Sequence, residues 1–214
     1  MTGREKGDDD ERRRKKLEKG NEDLVLETKL EDEEEEKGLC LFTACRSGMA
    51  EVVQQQLQST MVDLTVCNQA QQTVLHVIST PDLQEKVVQW MSRDSRPHLA
   101  PQAQLLQAAW QGDLLSLQQL IACPDKPDVN APNGDGTTPL MLAIRDVDLF
   151  HGMGARLPWQ HRPVEVTKEL LGHSADVQIR DVSGCSALHY AANISCSLRD
   201  EIITVLVEAL NCSG

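Results

Sequence analysis

Two histidines stand three residues after a hydroxyl side chain, His76 after Thr73 and His189 after Ser186. A hydroxyl beside an imidazole can begin a nucleophile and its base, but catalysis also needs further groups converging on one pocket. The structural reading is stronger, on the general ground that a buried imidazole needs a hydrogen-bond partner. Zinc chemistry would need paired ligands, yet Cys40 and Cys45 stand at a helix start with no second pair at a zinc-site spacing. The segment Asp128-Val129-Asn130-Ala131-Pro132-Asn133-Gly134 has a calcium-loop outline. Pro132 takes the place of the third acidic ligand and no glutamate closes the loop, so this is a turn. Gly152-Met153-Gly154 lacks the third glycine, the preceding strand and the later acid of a dinucleotide site. No Gly-Lys-Ser/Thr phosphate loop and no Gly-x-Ser-x-Gly elbow occurs. The expectation is a protein with no catalytic residues, no metal and no cofactor.

The balance of charge narrows the partners. A net charge of −12 repels both a phosphate backbone and an anionic membrane leaflet, so neither nucleic acid nor membrane is expected. No apolar run approaches the ~18 residues of a spanning helix, and charged residues follow Met1 where a secretory signal would be apolar. The seven cysteines form an odd set without a Cys-x-x-Cys pair, which suits reduced thiols in the cytoplasm or nucleus. The two glycosylation sequons, at Asn193 and Asn211, matter only in a secreted chain and are set aside.

Residues 1–38 hold 10 basic and 15 acidic side chains against 11 and 18 in the other 176, so one boundary falls just before Leu39. With few apolar residues between its basic run, Arg12 to Lys16, and its acidic run, Glu31 to Glu36, this tail cannot offset the entropy of ordering. It is expected to be disordered. The basic run reads either as a nuclear-import signal or as a solvated charge block.

The chain is 40% hydrophobic but only 3% aromatic, which calls for aliphatic side chains packed between helices. Leu41 to Gly48 is echoed by Leu105 to Gly112, and an apolar-periodic stretch follows each, Val52 to Leu57 and Leu114 to Ile121. Small residues, a glycine stop and a second helix make a helical hairpin. Thr73-Val74-Leu75-His76, Thr138-Pro139-Leu140-Met141 and Ser186-Ala187-Leu188-His189 each open a helix with a hydroxyl cap, and Pro139 occupies the first turn, where proline costs nothing. Ahead of two of these lie Asp128-Val129-Asn130 with Asn133-Gly134-Asp135-Gly136, and Ala175-Asp176-Val177 with Asp181-Val182-Ser183-Gly184, extended residues that run into turns.

These residues resemble the ankyrin repeat, with its ~33-residue period and its Thr-Pro-Leu-His-x-Ala signature. The equivalent leucines Leu41, Leu75, Leu105, Leu140 and Leu188 are separated by 34, 30, 35 and 48 residues. The long last interval places an insertion between Arg145 and Pro163. The resemblance implies that Thr73, His76, Thr138, Pro139, Leu140, Leu188 and His189 are structural, the imidazoles hydrogen-bonding within and between turns. The weakest unit is the second, where no glycine separates the helices and Pro81 falls in the connection.

The expected fold is therefore all-α: an ankyrin-repeat solenoid of about five stacked helix-turn-helix units with short β-turn hairpins, behind the charged tail. The repeats are bounded at 39–71, 72–102, 103–135, 136–183 with the insertion 146–163, and an incomplete 184–214. The last helix, Asp200 to Leu210, carries more apolar surface than one stacking side needs. That predicts Leu206 or Val207 partly exposed, as in a shortened product of a longer repeat protein.

The resemblance implies a protein partner, held by turn tips and inner helices. The candidates by position are Asn68, Gln69, Trp110, Gln111, Asn133, Asp135, Arg180 and Asp181, with Trp110 either a hot spot or a cover for its neighbour. The insertion adds Trp159 and Arg162, in a segment expected to be a long functional loop. The expected role is an adaptor or scaffold in the cytoplasm or nucleus. The alternatives are a nuclear regulator imported through residues 12–16, a zinc-binding protein, or the interaction part of a larger multidomain protein.

Overall fold

The structure is a computed structural model that describes residues 41–58, 62–92 and 99–212. It divides into Met1–Thr43 and Ala44–Gly214. The charged tail with both its runs, and Cys40, lie outside the described residues.

In the second unit, helix α1 (Ala50–Leu57) buries Val53 and Leu57, one turn apart, against α3 (Pro81–Trp90), which offers Leu83, Val87 and Val88. Between them α2 (Val74–Val77) is a single turn. Pro81 does not fall in a connection but is the first residue of α3: Thr80 caps the helix by accepting from Leu83 N, and proline suits a position whose N–H has no helical acceptor.

The remaining helices form the larger core. They are α4 (Pro101–Gln111), α5 (Leu114–Ile121), α6 (Pro139–Arg145), α7 (Val147–Met153), α8 (Pro163–Gly172), α9 (Ala187–Ala192) and α10 (Arg199–Cys212). Three hairpins stack: α4 with α5, α6 with α8 and α9 with α10. The inner row runs α4, α6, α9 and the outer row α5, α8, α10, with Leu105, Leu117, Leu140, Val166, Leu170, Ala191, Ile202 and Leu206 in one contiguous core. Single hairpins cannot cover their own apolar faces, and stacking does it for them. At the end of the rows Leu206 is fully buried while Val207 is 42% exposed. Ile202 and Leu206 share the inward face; Val207 is rotated off it by one residue.

The expected hairpins are present as three copies of one turn. Asn68 N bonds Gln72 O, Asn133 N bonds Thr137 O and Asp181 N bonds Cys185 O. In each, the Asn or Asp Oδ1 accepts from the backbone N–H groups two and four residues on: Ala70 and Gln72, Asp135 and Thr137, Ser183 and Cys185. The side chain takes the role of a backbone carbonyl, which is why Asn and Asp hold this position. Strand pairing among the described residues is limited to an isolated bridge between Asp113 and His161.

The insertion is not a loop. Residues 147–153 form α7, which continues into a 3₁₀ turn, Gly154–Arg156. Val147, Phe150 and Met153 recur every three residues and are buried. The insertion sits between the two helices of its repeat, α6 and α8, and its polar residues tie it to the repeats on both sides, as described next.

Candidate functional site

The histidines of the repeat signature close their own helices. His76 Nδ1 lies 2.8 Å from Thr73 Oγ1 and accepts from Thr73 N, and His189 Nδ1 repeats both contacts with Ser186. Thr138 caps α6 by accepting from Met141 N, with Pro139 at the first position. Leu140 is buried and Leu188 is partly buried against the main core. Among the described residues no group of three His, Cys, Asp or Glu side chains is arranged to hold a metal. Burial pushes the Cys45 and Cys67 thiols up to about 11, so both stay protonated at neutral pH and are poor nucleophiles.

Four of the expected contact residues serve the fold. Trp110 is 1% exposed; its Nε1 donates to Asp146 Oδ2, and Phe150 meets it edge-on with ring centroids 5.3 Å apart. Gln111 is 4% exposed and, with Gln107 one turn earlier, donates to Met91 O. All residues from Leu105 to Gln111 are buried, so this stretch of α4 has no solvent side. Asp181 is buried as well: Oδ1 builds its turn and Oδ2 accepts from Tyr190 OH, while burial, then that bond, raises the tyrosine pKa. Asn133 is half-buried, its Oδ1 spent on the turn and its Nδ2 donated to Thr65 Oγ1 at 2.9 Å.

The turn tips are bonded to one another. Cys67 N donates to Asp135 Oδ2 at 2.7 Å, and Val182 N reaches Asp135 O at 3.3 Å. That second approach requires glycine at 136: its φ is +74°, and a Cβ there would lie 3.1 Å from Val182 N. Arg145, whose side chain is 7% exposed, anchors the arrangement from below, donating to Thr65 O at 2.7 Å and to Asp146 Oδ2 at 3.1 Å. The result is a continuous rim of three tips enclosing a hollow of about 210 Å³ lined by Asn68, Gln69, Asp135, Asp181, Val182 and Tyr190, among others. Asn68 Oδ1 is spent on its own turn, but Gln69 and Arg180 face solvent, as does Val182 at 78% exposure. Arg180 bonds back to Gly184 O.

Trp159 and Arg162 come together at the insertion. The C-terminal carbonyls of α4 lack helical donors, and the insertion provides them: Trp159 Nε1 and His161 Nδ1 lie 2.9 and 2.8 Å from Gln111 O, and Arg162 N donates to Gly112 O. On its other side Asp148 accepts from Ser195 N and Cys196 N. Burial works against ionisation of that carboxyl, but the hydrogen bonds from Ser195 and Cys196 outweigh it and hold the pKa below the usual carboxylate range. The insertion is thus a brace between the third and fifth hairpin units. Trp159 and Arg162 line a groove of about 600 Å³ with the first turn of α5.

Sequence reasoning missed Val182 and Leu115. Val182 was legible as the residue after a turn-opening Asp, a place where apolar side chains have no core to reach. Leu115 was hidden by the apolar run it belongs to, since Leu114 to Ile121 reads as core throughout.

A stack of helical hairpins joined by Asx-closed turns is a repeat architecture. A family model of ankyrin repeats, in three copies, matches residues 105–213, just over half of the sequence, and the chain belongs to the ankyrin-repeat family. Among solved structures, 268 chains match. One is a predatory endopeptidase from Bdellovibrio bacteriovorus in complex with an immunity protein, at 25% identity over 50% of this chain and 45% of that chain, with a TM-score of 0.38. The present chain thus spans less than half of that one. Comparison with curated proteins gives no match.

Proposed function

We propose that this chain is a non-catalytic adaptor or scaffold that binds another protein across the rim of turn tips. Ankyrin repeats mediate protein–protein interaction, and this chain has three of them in its larger core. The observation that carries the reading is the bonding of tip to tip through Cys67, Asp135 and Val182. A surface already held by its own hydrogen bonds loses little conformational freedom on binding, which favours affinity. Gln69, Gln71 and Val182 then present two amides and an apolar side chain to the partner. We place the protein in the cytoplasm or nucleus; the described cysteines are free thiols, which fits a reducing compartment.

The test is affinity purification from cells with the full chain and with a Val182→Arg, Gln69→Glu variant. Both side chains are exposed, so the variant folds, and it is expected to lose the captured proteins. An unchanged set would overturn the rim as the binding surface.

A further inference from the structure

The groove at the insertion has the makings of a second, separate docking surface, independent of the rim. Leu115 stands in the first turn of α5 with 66% of its surface exposed, in a helix whose buried face is carried by Leu117 and Ile121. Pro158 and Trp159 line the same groove. The indole cannot swing away, because its Nε1 is bonded to Gln111 O. Beside them Arg162 has its backbone N tied to Gly112 O, but its guanidinium makes no ion pair or hydrogen bond among the described residues. The acid of the same groove, Asp113, is turned onto its own helix: Oδ1 accepts from Ser116 N and Oδ2 from Ser116 Oγ. The groove thus sets Leu114, Leu115, Pro158 and Trp159 among polar residues, and Arg162 is its charged side chain without a partner among the described residues.

We propose that this groove takes a short acidic segment of a partner protein, seating one apolar side chain between Leu115 and Trp159 and setting a neighbouring carboxylate on Arg162. The apolar contact removes the exposed Leu115 and the indole edge from water. The carboxylate meets a planar guanidinium suited to two parallel hydrogen bonds, which a lysine-bearing or uncharged segment cannot supply. Aromatic and arginine side chains side by side, on a surface already rigid, are the composition of an interface hot spot.

The full chain is panned against a phage-displayed library of random dodecapeptides, with an Arg162→Glu, Leu115→Asp variant for counter-selection. Peptides retained by the chain alone are expected to share a Leu, Ile, Phe or Trp within two positions of Asp or Glu. A labelled synthetic copy of the retained sequence should lose about tenfold or more in affinity for Arg162→Glu in fluorescence anisotropy, keep its affinity for Val182→Arg, and weaken with added salt. Because Val182 belongs to the rim, that variant separates failure here from failure of the rim. The proposal is overturned if no peptide distinguishes the chain from the counter-selection variant, if the retained peptides are basic or uncharged, or if Arg162→Glu binds as tightly as the parent.

Discussion

The indole nitrogen of Trp110 donates to Oδ2 of Asp146, the same oxygen that receives Nε of Arg145 at 3.1 Å. One carboxylate thereby joins the end of α4 to the end of α6, and through Arg145 to Thr65 O, just ahead of the first turn. His76 Nε2 is 3.9 Å from its other oxygen. A tryptophan placed by repeat position on a binding face is instead the centre of a polar knot between repeats.

That knot should unravel unevenly. Asp146→Ala strands a buried guanidinium and an indole N–H together, and is expected to cost roughly 3–5 kcal/mol in urea unfolding. Trp110→Phe removes one donor and leaves the ion pair, so about 1–3 kcal/mol is expected. Equal losses in the two variants would show that the carboxylate does not couple the two partners.

Gly112→Ala tests the brace. The residue has φ +65°, and a Cβ would meet His161 Nδ1 at 2.5 Å and Arg162 N at 3.2 Å. Strain in the left-handed region and a clash with backbone add, so a loss of about 2 kcal/mol or more is expected. Faster amide exchange at Arg162 should accompany it, since its N–H is bonded to Gly112 O. A stability change with Arg162 still protected would separate backbone strain from loss of the brace.

Gln71 offers the opposite change. It holds φ +58° at the turn position that Gly136 and Gly184 occupy in the other two tips. Its side chain is exposed, so Gln71→Gly relieves a left-handed side-chain conformation at little packing cost. A gain of up to about 1 kcal/mol in thermal or urea unfolding is expected, and any loss contradicts the assignment.

Stability should fall on mild acidification through His161. Gln111 O can only accept, so Nδ1 carries the proton, and Nε2 is buried without a partner. Burial lowers its pKa below the ordinary histidine value; the bond to Gln111 works the other way, and His151 adds to the lowering. Asp113 pairs with it through the backbone bridge and Phe150 lies against the ring, so neither offers Nε2 an acceptor. A native pKa below the unfolded one means that the unfolded chain takes up the proton first. The contribution is complete above pH ~6.5 and is lost as pH falls through the native value. His161→Phe should flatten that part of the stability profile relative to the parent; a profile of unchanged slope would contradict it.

The residues themselves were enough to reveal helical hairpins at a repeating interval, the hydroxyl caps and the two signature histidines. These depend on contacts within a few residues of each other, such as Thr73 with His76 or Asn133 with Thr137, and short-range geometry leaves its mark in spacing. Which of the candidate side chains stay open to solvent was decided only by tertiary structure. Trp110 and Gln111 sit at positions that a regular array leaves open, and Phe150, Asp146 and Met91, from 20 to 40 residues away along the chain, cover them. Burial depends on what packs against a helix, and neither a period nor a motif within the helix records its neighbours.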